Sequence, residues 1–189
     1  TFNPSEYKDS IPDSLKHTTD RGRTVFGGGG ILPDYVVKPD TSGLMRTVVG
    51  NGMDRLFVRD WFARNEQGLR DTWANQRQAF VDSYTVDDEL VNAFWSFADE
   101  QGLSLTSDPA EVSRQDGVFL RAEAVKEKPQ LKTYLKARLA GRLYGGRASI
   151  PILNQVDTEL KEALTLWDRA EELAAYHAPS TAGTRNGDR

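Results

Sequence analysis

The sequence predicts a mainly α-helical chain, a C-terminal helical bundle preceded by a short β arm, and three observations carry that reading. Pro4, Pro12, Pro33 and Pro39 and five glycines fall within the first forty residues, whereas residues 44–176 hold only Pro109, Pro129 and Pro151. From Leu44 the apolar residues change period: Met45, Val48, Val49, Met53, Leu56, Phe57 and Trp61 recur every three or four positions, as on one helix face. Farther on, helix start signals alternate with glycine stops, and Leu131, Leu135, Leu139 and Leu143 form a ladder at four-residue spacing. Three regions follow: a β arm over 1–40, a helical domain over 41–176 and a tail over 177–189 that lacks an apolar anchor.

In the arm, Thr18-Thr19 and Thr24-Val25-Phe26 flank Asp20-Arg21-Gly22-Arg23 and predict a β-hairpin. Residues 31–37 are a third β-prone run, in which Pro33, lacking an N–H, belongs at an edge, a start or a bulge. Three short strands do not make a stable domain unaided. Gly50 and Gly52 interrupt the first helical stripe, each at about 1 kcal/mol against Ala. That stretch reads as two helices, or as one beginning near Met53.

A further helix is expected over 69–84. Thr85-Val86-Asp87-Asp88 then offers a capping hydroxyl with an acid three residues on, opening a helix that buries Leu90, Phe94, Phe97 and Ala98 and ends near Gly102. Asp108-Pro109-Ala110-Glu111 is the next start signal, for a helix reaching about residue 127. Pro129 can open another, ended by Gly145-Gly146. After Ile150-Pro151-Ile152, residues 154–157 can cap a last helix with Leu160, Ala163, Leu164, Trp167 and Ala174 facing inward. Trp61, Trp73, Trp95 and Trp167 read as core, or in part as interface if the chain is a fragment.

Composition narrows function. With 24 basic and 28 acidic side chains the net charge is −4 and the pI about 5.3, a balance that disfavours nucleic acid as partner. Counting Gly and leaving out Tyr, roughly 43% of the chain is apolar, close to the globular range of about 45–50% and incompatible with wholesale disorder. No apolar run is long enough to span a membrane, and the polar opening octet lacks the features of a signal peptide. The chain starts at Thr1 and its first methionine is Met45, which suggests a piece of a longer protein.

Candidate chemistry is thin. No cysteine is present, so thiolate catalysis and cysteine zinc sites are excluded, and His17 and His177 lie far apart. No metal and no cofactor is expected. Gly27-Gly28-Gly29-Gly30 could cradle an anion, but Ile31-Leu32-Pro33 follows where a phosphate loop needs a helix, so the run reads as bulged or closely packed backbone. No serine sits in a strand-to-helix elbow, and Ser14 with Lys16 reads as a polar loop. Asp87, Asp88 and Glu89 fit a first helical turn, where the macrodipole favours negative charge. Lys132, Lys136, Arg138 and Arg142 read as the solvated flank of the leucine ladder.

One element carries a resemblance. Residues 18–37, with Thr19, Gly22, Arg23, Val25, Phe26, Gly27, Gly28, Gly29, Gly30, Ile31, Pro33 and Asp34 in the pattern T-x-x-G-R-x-V-[YF]-G-G-G-G-I-x-P-D, resemble a stretch of the carboxyl-terminal processing (tail-specific) serine proteases. Pro39-Asp40-Thr41, and more weakly residues 135–140 and 152–157, continue the similarity. The resemblance implies a crotonase-like α/β protease core with an inserted PDZ domain, whose last β segments would be residues 1–40. It also implies ATP-independent endoproteolysis, in which a lysine deprotonates a serine, an acyl-enzyme forms and water releases it. Substrate tails would be gripped by strand addition to the PDZ module. Both catalytic motifs of that family lie upstream of the Gly-rich element, so no catalytic residue is expected in this chain, and the motif residues here are structural. The helical domain would support the core or make oligomer contacts, with protein substrates reached through the parent enzyme. The same resemblance implies a cell-envelope, periplasmic or secreted location. The rival expectation is a stand-alone helical interaction module whose β arm pairs with a partner sheet.

Overall fold

A computed structural model describes residues 11–19, 22, 24–27, 37 and 43–175, and among these the chain is mainly helical. It divides into two compact units, one of Asp40–Asp157 and one of Thr1–Pro39 with Thr158–Arg189.

The first unit opens with α1 (Gly43–Gly50) and α2 (Met53–Trp73), separated at Asn51 and Gly52, so the interrupted stripe is two helices. Leu44, Met45, Val48, Met53, Phe57 and Val58 face the core, whereas Leu56, expected among them, is exposed. The helix expected over 69–84 is divided: α2 continues to Trp73, a turn follows, and α3 covers Arg77–Ser83. The end of α2 is held from outside by the Tyr144 hydroxyl, which donates to the Trp73 carbonyl at 2.6 Å. Phe80, fully buried, stacks on Tyr84 at 4.4 Å and meets Trp73 and Tyr144 edge-on. In such a cluster each aromatic pair adds about 0.5–1.5 kcal/mol beyond its buried area.

Helix α4 (Asp88–Glu100) ends where Gly102 predicts, but its cap is Asp87, whose carboxylate accepts from the Leu90 N–H at 2.7 Å, not Thr85. Asp87 sits three residues before Leu90, the spacing a capping carboxylate needs, so it takes the first-turn donor that the capping box assigns to a hydroxyl.

The largest departure from expectation lies between 104 and 129. Asp108 does start a turn, accepting from the Ala110 N–H at 2.8 Å, but the helix stops after one 3-10 turn over Pro109–Glu111. The chain instead forms β4 (Val118–Leu120), parallel to β3 (Ser104–Thr106), with Leu105 opposite Phe119. Burial of Leu103 and Phe119 overrides the local signal. The intervening turn requires Gly117: its φ is +77°, and a Cβ there would lie 2.3 Å from the Gly102 carbonyl oxygen.

Helix α5 (Arg121–Tyr144) then runs through Pro129 instead of starting at it. Its 24 residues span about 36 Å at 1.5 Å per residue. Pro129 is exposed, so the backbone donor it lacks is missing only on the water side. Leu131, Leu135, Ala137, Leu139 and Ala140 are all fully buried, which makes the leucine ladder the axis of this unit, with α1 to α4 and β3–β4 packed against it. The helix ends before Gly145-Gly146 as expected; a 3-10 turn over Gly146–Ser149 and the short α6 (Ile150–Leu153) fold back on it, burying Ala148 and Ile152.

In the second unit, β1 (Lys16–Thr18) and β2 (Thr24–Phe26) form the expected antiparallel hairpin, pairing Lys16 with Phe26, His17 with Val25 and Thr18 with Thr24. The expected last helix is two, α7 (Thr158–Leu164) and α8 (Trp167–Ala175), broken where the Thr165 hydroxyl donates to the Glu162 carbonyl. Most of its stripe does not face inward: Leu160 is half-buried, Ala163 and Ala174 are exposed, and Leu164 and Trp167 are 53% and 67% exposed. Trp61, Trp73 and Trp95, by contrast, lie half-buried against the core. The third β-prone run apart from Val37, His177 and the tail lie outside the described residues.

Candidate functional site

Of the motif residues singled out in the sequence, Thr19, Gly22, Val25, Phe26 and Gly27 are described; Arg23, Gly28, Gly29, Gly30, Ile31, Pro33 and Asp34 lie outside the described residues. Gly22 has a left-handed backbone, φ +78°, and donates its N–H to the Thr19 carbonyl at 2.8 Å, closing the turn between β1 and β2. That conformation is open to glycine at little cost, which explains the residue type at this position. Gly27 extends the ladder by donating to the Leu15 carbonyl at 2.7 Å, and a Cβ on it would stand 2.9 Å from His17 Nε2. Both are backbone roles.

The hairpin is three residues wide on each strand, and His17, Thr18, Thr24 and Val25 are exposed. Among the described residues no third strand pairs with it. Lys16 and Phe26, paired on one face, are half-buried, and a two-stranded ribbon is marginal alone, its edges a template for pairing with a further strand. Near its start Lys16 Nζ lies 2.8 Å from the Asp13 carboxylate, and that hydrogen bond holds the Asp13 pKa below its usual value.

In the helical unit several ionisable groups tie one helix to another. Asp54, on the first turn of α2, is fully buried, and its Oδ2 accepts from Arg138 Nε of α5 at 2.6 Å, while its Oδ1 has no partner. Asp88 accepts from Lys128 and Lys132 Nζ, each at 2.6 Å, and these two bonds bring its pKa down to about 2. Lys136 Nζ donates to the Val81 carbonyl at 2.7 Å near the end of α3, and burial pulls its pKa down. Three of the four α5 cations expected as a solvated flank are therefore cross-links to other helices. Sequence periodicity could not find them, because each partner lies more than forty residues away in the chain.

Hydroxyls are similarly occupied: Ser149 donates to the Ala137 carbonyl, Ser83 to the Ala79 carbonyl and Ser113 to the Asp116 carboxylate. A nucleophile needs a base beside it, and these three have backbone or carboxylate acceptors that fix them in place. Among the described residues no group of three or more His, Asp or Glu side chains is placed to hold a metal ion, and no helix is long and apolar enough to cross a membrane. The arrangement offers backbone pairing at the hairpin and a braced helical scaffold.

Comparison with curated proteins and with solved structures finds no match. A model described as a family of unknown function (DUF8443) matches residues 44–145, from the first turn of α1 to the glycine that ends α5; this is more than half of the chain, and the chain belongs to that family.

Proposed function

We propose that this chain is the C-terminal, non-catalytic part of a carboxyl-terminal processing serine protease. In this reading its β arm completes the sheet of the protease core, and its helical unit braces that core. The observation that carries it is the element over 18–37, T-x-x-G-R-x-V-F-G-G-G-G-I-L-P-D, in which a hairpin closed by Gly22 pairs with no third strand among the described residues. Strand addition to a neighbouring sheet would supply one. The parent would cleave protein substrates in the cell envelope or outside the cell, through a serine and a lysine upstream of residue 1.

The test is casein hydrolysis by the 189-residue chain and by the protein extended to the start of its gene. Activity in the extended protein only, lost when its upstream serine is replaced by alanine, is the expected result. Cleavage by the short chain, or none by either, refutes the reading.

A second reading has its own support: the unit of Asp40–Asp157 has a hydrophobic core of its own, and the family match covers it without the arm. A stand-alone interaction module would have those features, and an upstream sequence lacking a serine-bearing strand-to-helix turn would favour it.

A further inference from the structure

Helices α7 and α8 display an apolar strip that no described residue covers. Trp167, Ala170 and Ala174 recur at i, i+3 and i+7 on one face of α8, and Leu164 precedes them on α7. Asp168 and Glu171 stand beside Trp167 without ion pairs among the described residues. Residues 158–175 carry Glu159, Glu162, Asp168, Glu171 and Glu172 against Lys161 and Arg169, so their net charge is 2 − 5 = −3. Such a face repels nucleic acid and anionic lipid and suits a protein surface with an apolar centre and a basic rim.

This chain has that surface. On the outer side of the first half of α5, Ala122, Val125 and Pro129 are exposed at three- and four-residue spacing, Val125 at 68%. Lys126, which forms no ion pair among the described residues, lies alongside, and Arg121, whose guanidinium donates to the Leu105 carbonyl at 3.2 Å, begins the helix. Pro129 has no N–H to give the Val125 carbonyl, so an acceptor is left within the strip. The Trp167 indole is a donor only and wants such an acceptor when it is covered.

We propose that the occupant is a second copy of this chain: α8 of each copy lies along the first half of α5 of the other. Trp167 packs on Val125 and Pro129, and Glu171 faces Lys126. The contact is made twice about a two-fold axis, which closes the assembly at a dimer. It uses neither edge of the hairpin, so it stands whether or not a protease core pairs there.

Sedimentation equilibrium of the 189-residue chain tests it, from about 1 to 100 μM, the range in which exposed apolar surfaces associate. The expected result is a reversible dimer that Trp167→Ala weakens at least ~10-fold, the effect of a tryptophan hot spot. Lys126→Glu should weaken it as well, and Glu171→Lys added to Lys126→Glu should restore it. Both single changes are at exposed positions, and unchanged circular dichroism confirms the fold. A wild-type monomer throughout the range overturns the proposal. A dimer indifferent to Trp167→Ala and Lys126→Glu also overturns it, since the contact would then lie elsewhere. Failure of the charge swap removes the Lys126–Glu171 pairing.

Discussion

Replacing Arg138 by methionine should be the most damaging single polar substitution in the helical unit. Asp54 is fully buried, and among the described residues its only hydrogen-bonding partner is the Arg138 guanidinium, itself 24% exposed, at 2.6 Å. At an effective dielectric of 20, charges about 4 Å apart attract by about 4 kcal/mol, and that attraction offsets the desolvation of the carboxylate. With the guanidinium gone the desolvation remains, and breaking such a buried pair typically costs about 3–5 kcal/mol. For a chain of this length each kcal/mol moves the midpoint by about 2–4 °C, so Arg138→Met should lower Tm by ~6–20 °C. The assay is thermal and urea unfolding followed by circular dichroism. The double variant Asp54→Leu/Arg138→Met separates a lost attraction from a stranded charge: it should recover most of the loss, because an apolar pair of similar volume carries no desolvation penalty. A single variant within about 1 kcal/mol of wild type, or a double variant no better than the single, would refute this reasoning.

Gly117→Ala should destabilise by at least ~1–2 kcal/mol from its left-handed backbone alone, and by more because the new Cβ would meet the Gly102 carbonyl, which is backbone and cannot swing away. A urea midpoint unchanged from wild type would contradict the turn geometry. Asp88 gives a pH signature: its folded pKa, about 2, lies below the unfolded value of about 3.9, because Lys128 and Lys132 hydrogen-bond the carboxylate. A depressed acid contributes stability that is fully present above the unfolded pKa and is lost as pH falls through the folded one. The contribution should therefore fade between about pH 4 and pH 2, and Asp88→Asn should flatten the stability profile in that window. A variant that titrates there as steeply as wild type would refute the assignment.

How much of this was legible in the sequence depends on whether the deciding interaction was local. The break at 51–52 and the helix at 88–100 follow from apolar period, glycine and a nearby cap, and the hairpin follows from β-prone runs around Gly22, whereas the continuation of the second helix to Trp73 does not. Asp108-Pro109 misled because its start signal is genuine and local, a capped turn, while what decides the next ten residues is Phe119 entering the core beside Leu103. Pro129 misled for a related reason. Proline is compatible with a helix start, and only the exposure of that face of α5 makes an interior proline tolerable. The cations of α5 were legible as a basic set, but not as ties to Asp54, Asp88 and the Val81 carbonyl.

The same distinction bears on function. A buried ion pair and three inter-helix lysine contacts around one central helix fix its register against its neighbours, and none of them leaves a nucleophile beside a base. Two surfaces stand out among the described residues: the hairpin, with which no third strand pairs, and the Trp167 strip, which no described residue covers. The first calls for an extended strand and the second for a helix or a shallow apolar face, so one partner of simple shape does not serve both. A support module placed between a protease core and a second copy of itself needs these two kinds of contact, and each can be abolished without the other: a proline at Thr24, whose N–H points away from β1 in this register, would block strand addition on that edge, and Trp167→Ala would loosen the helix contact.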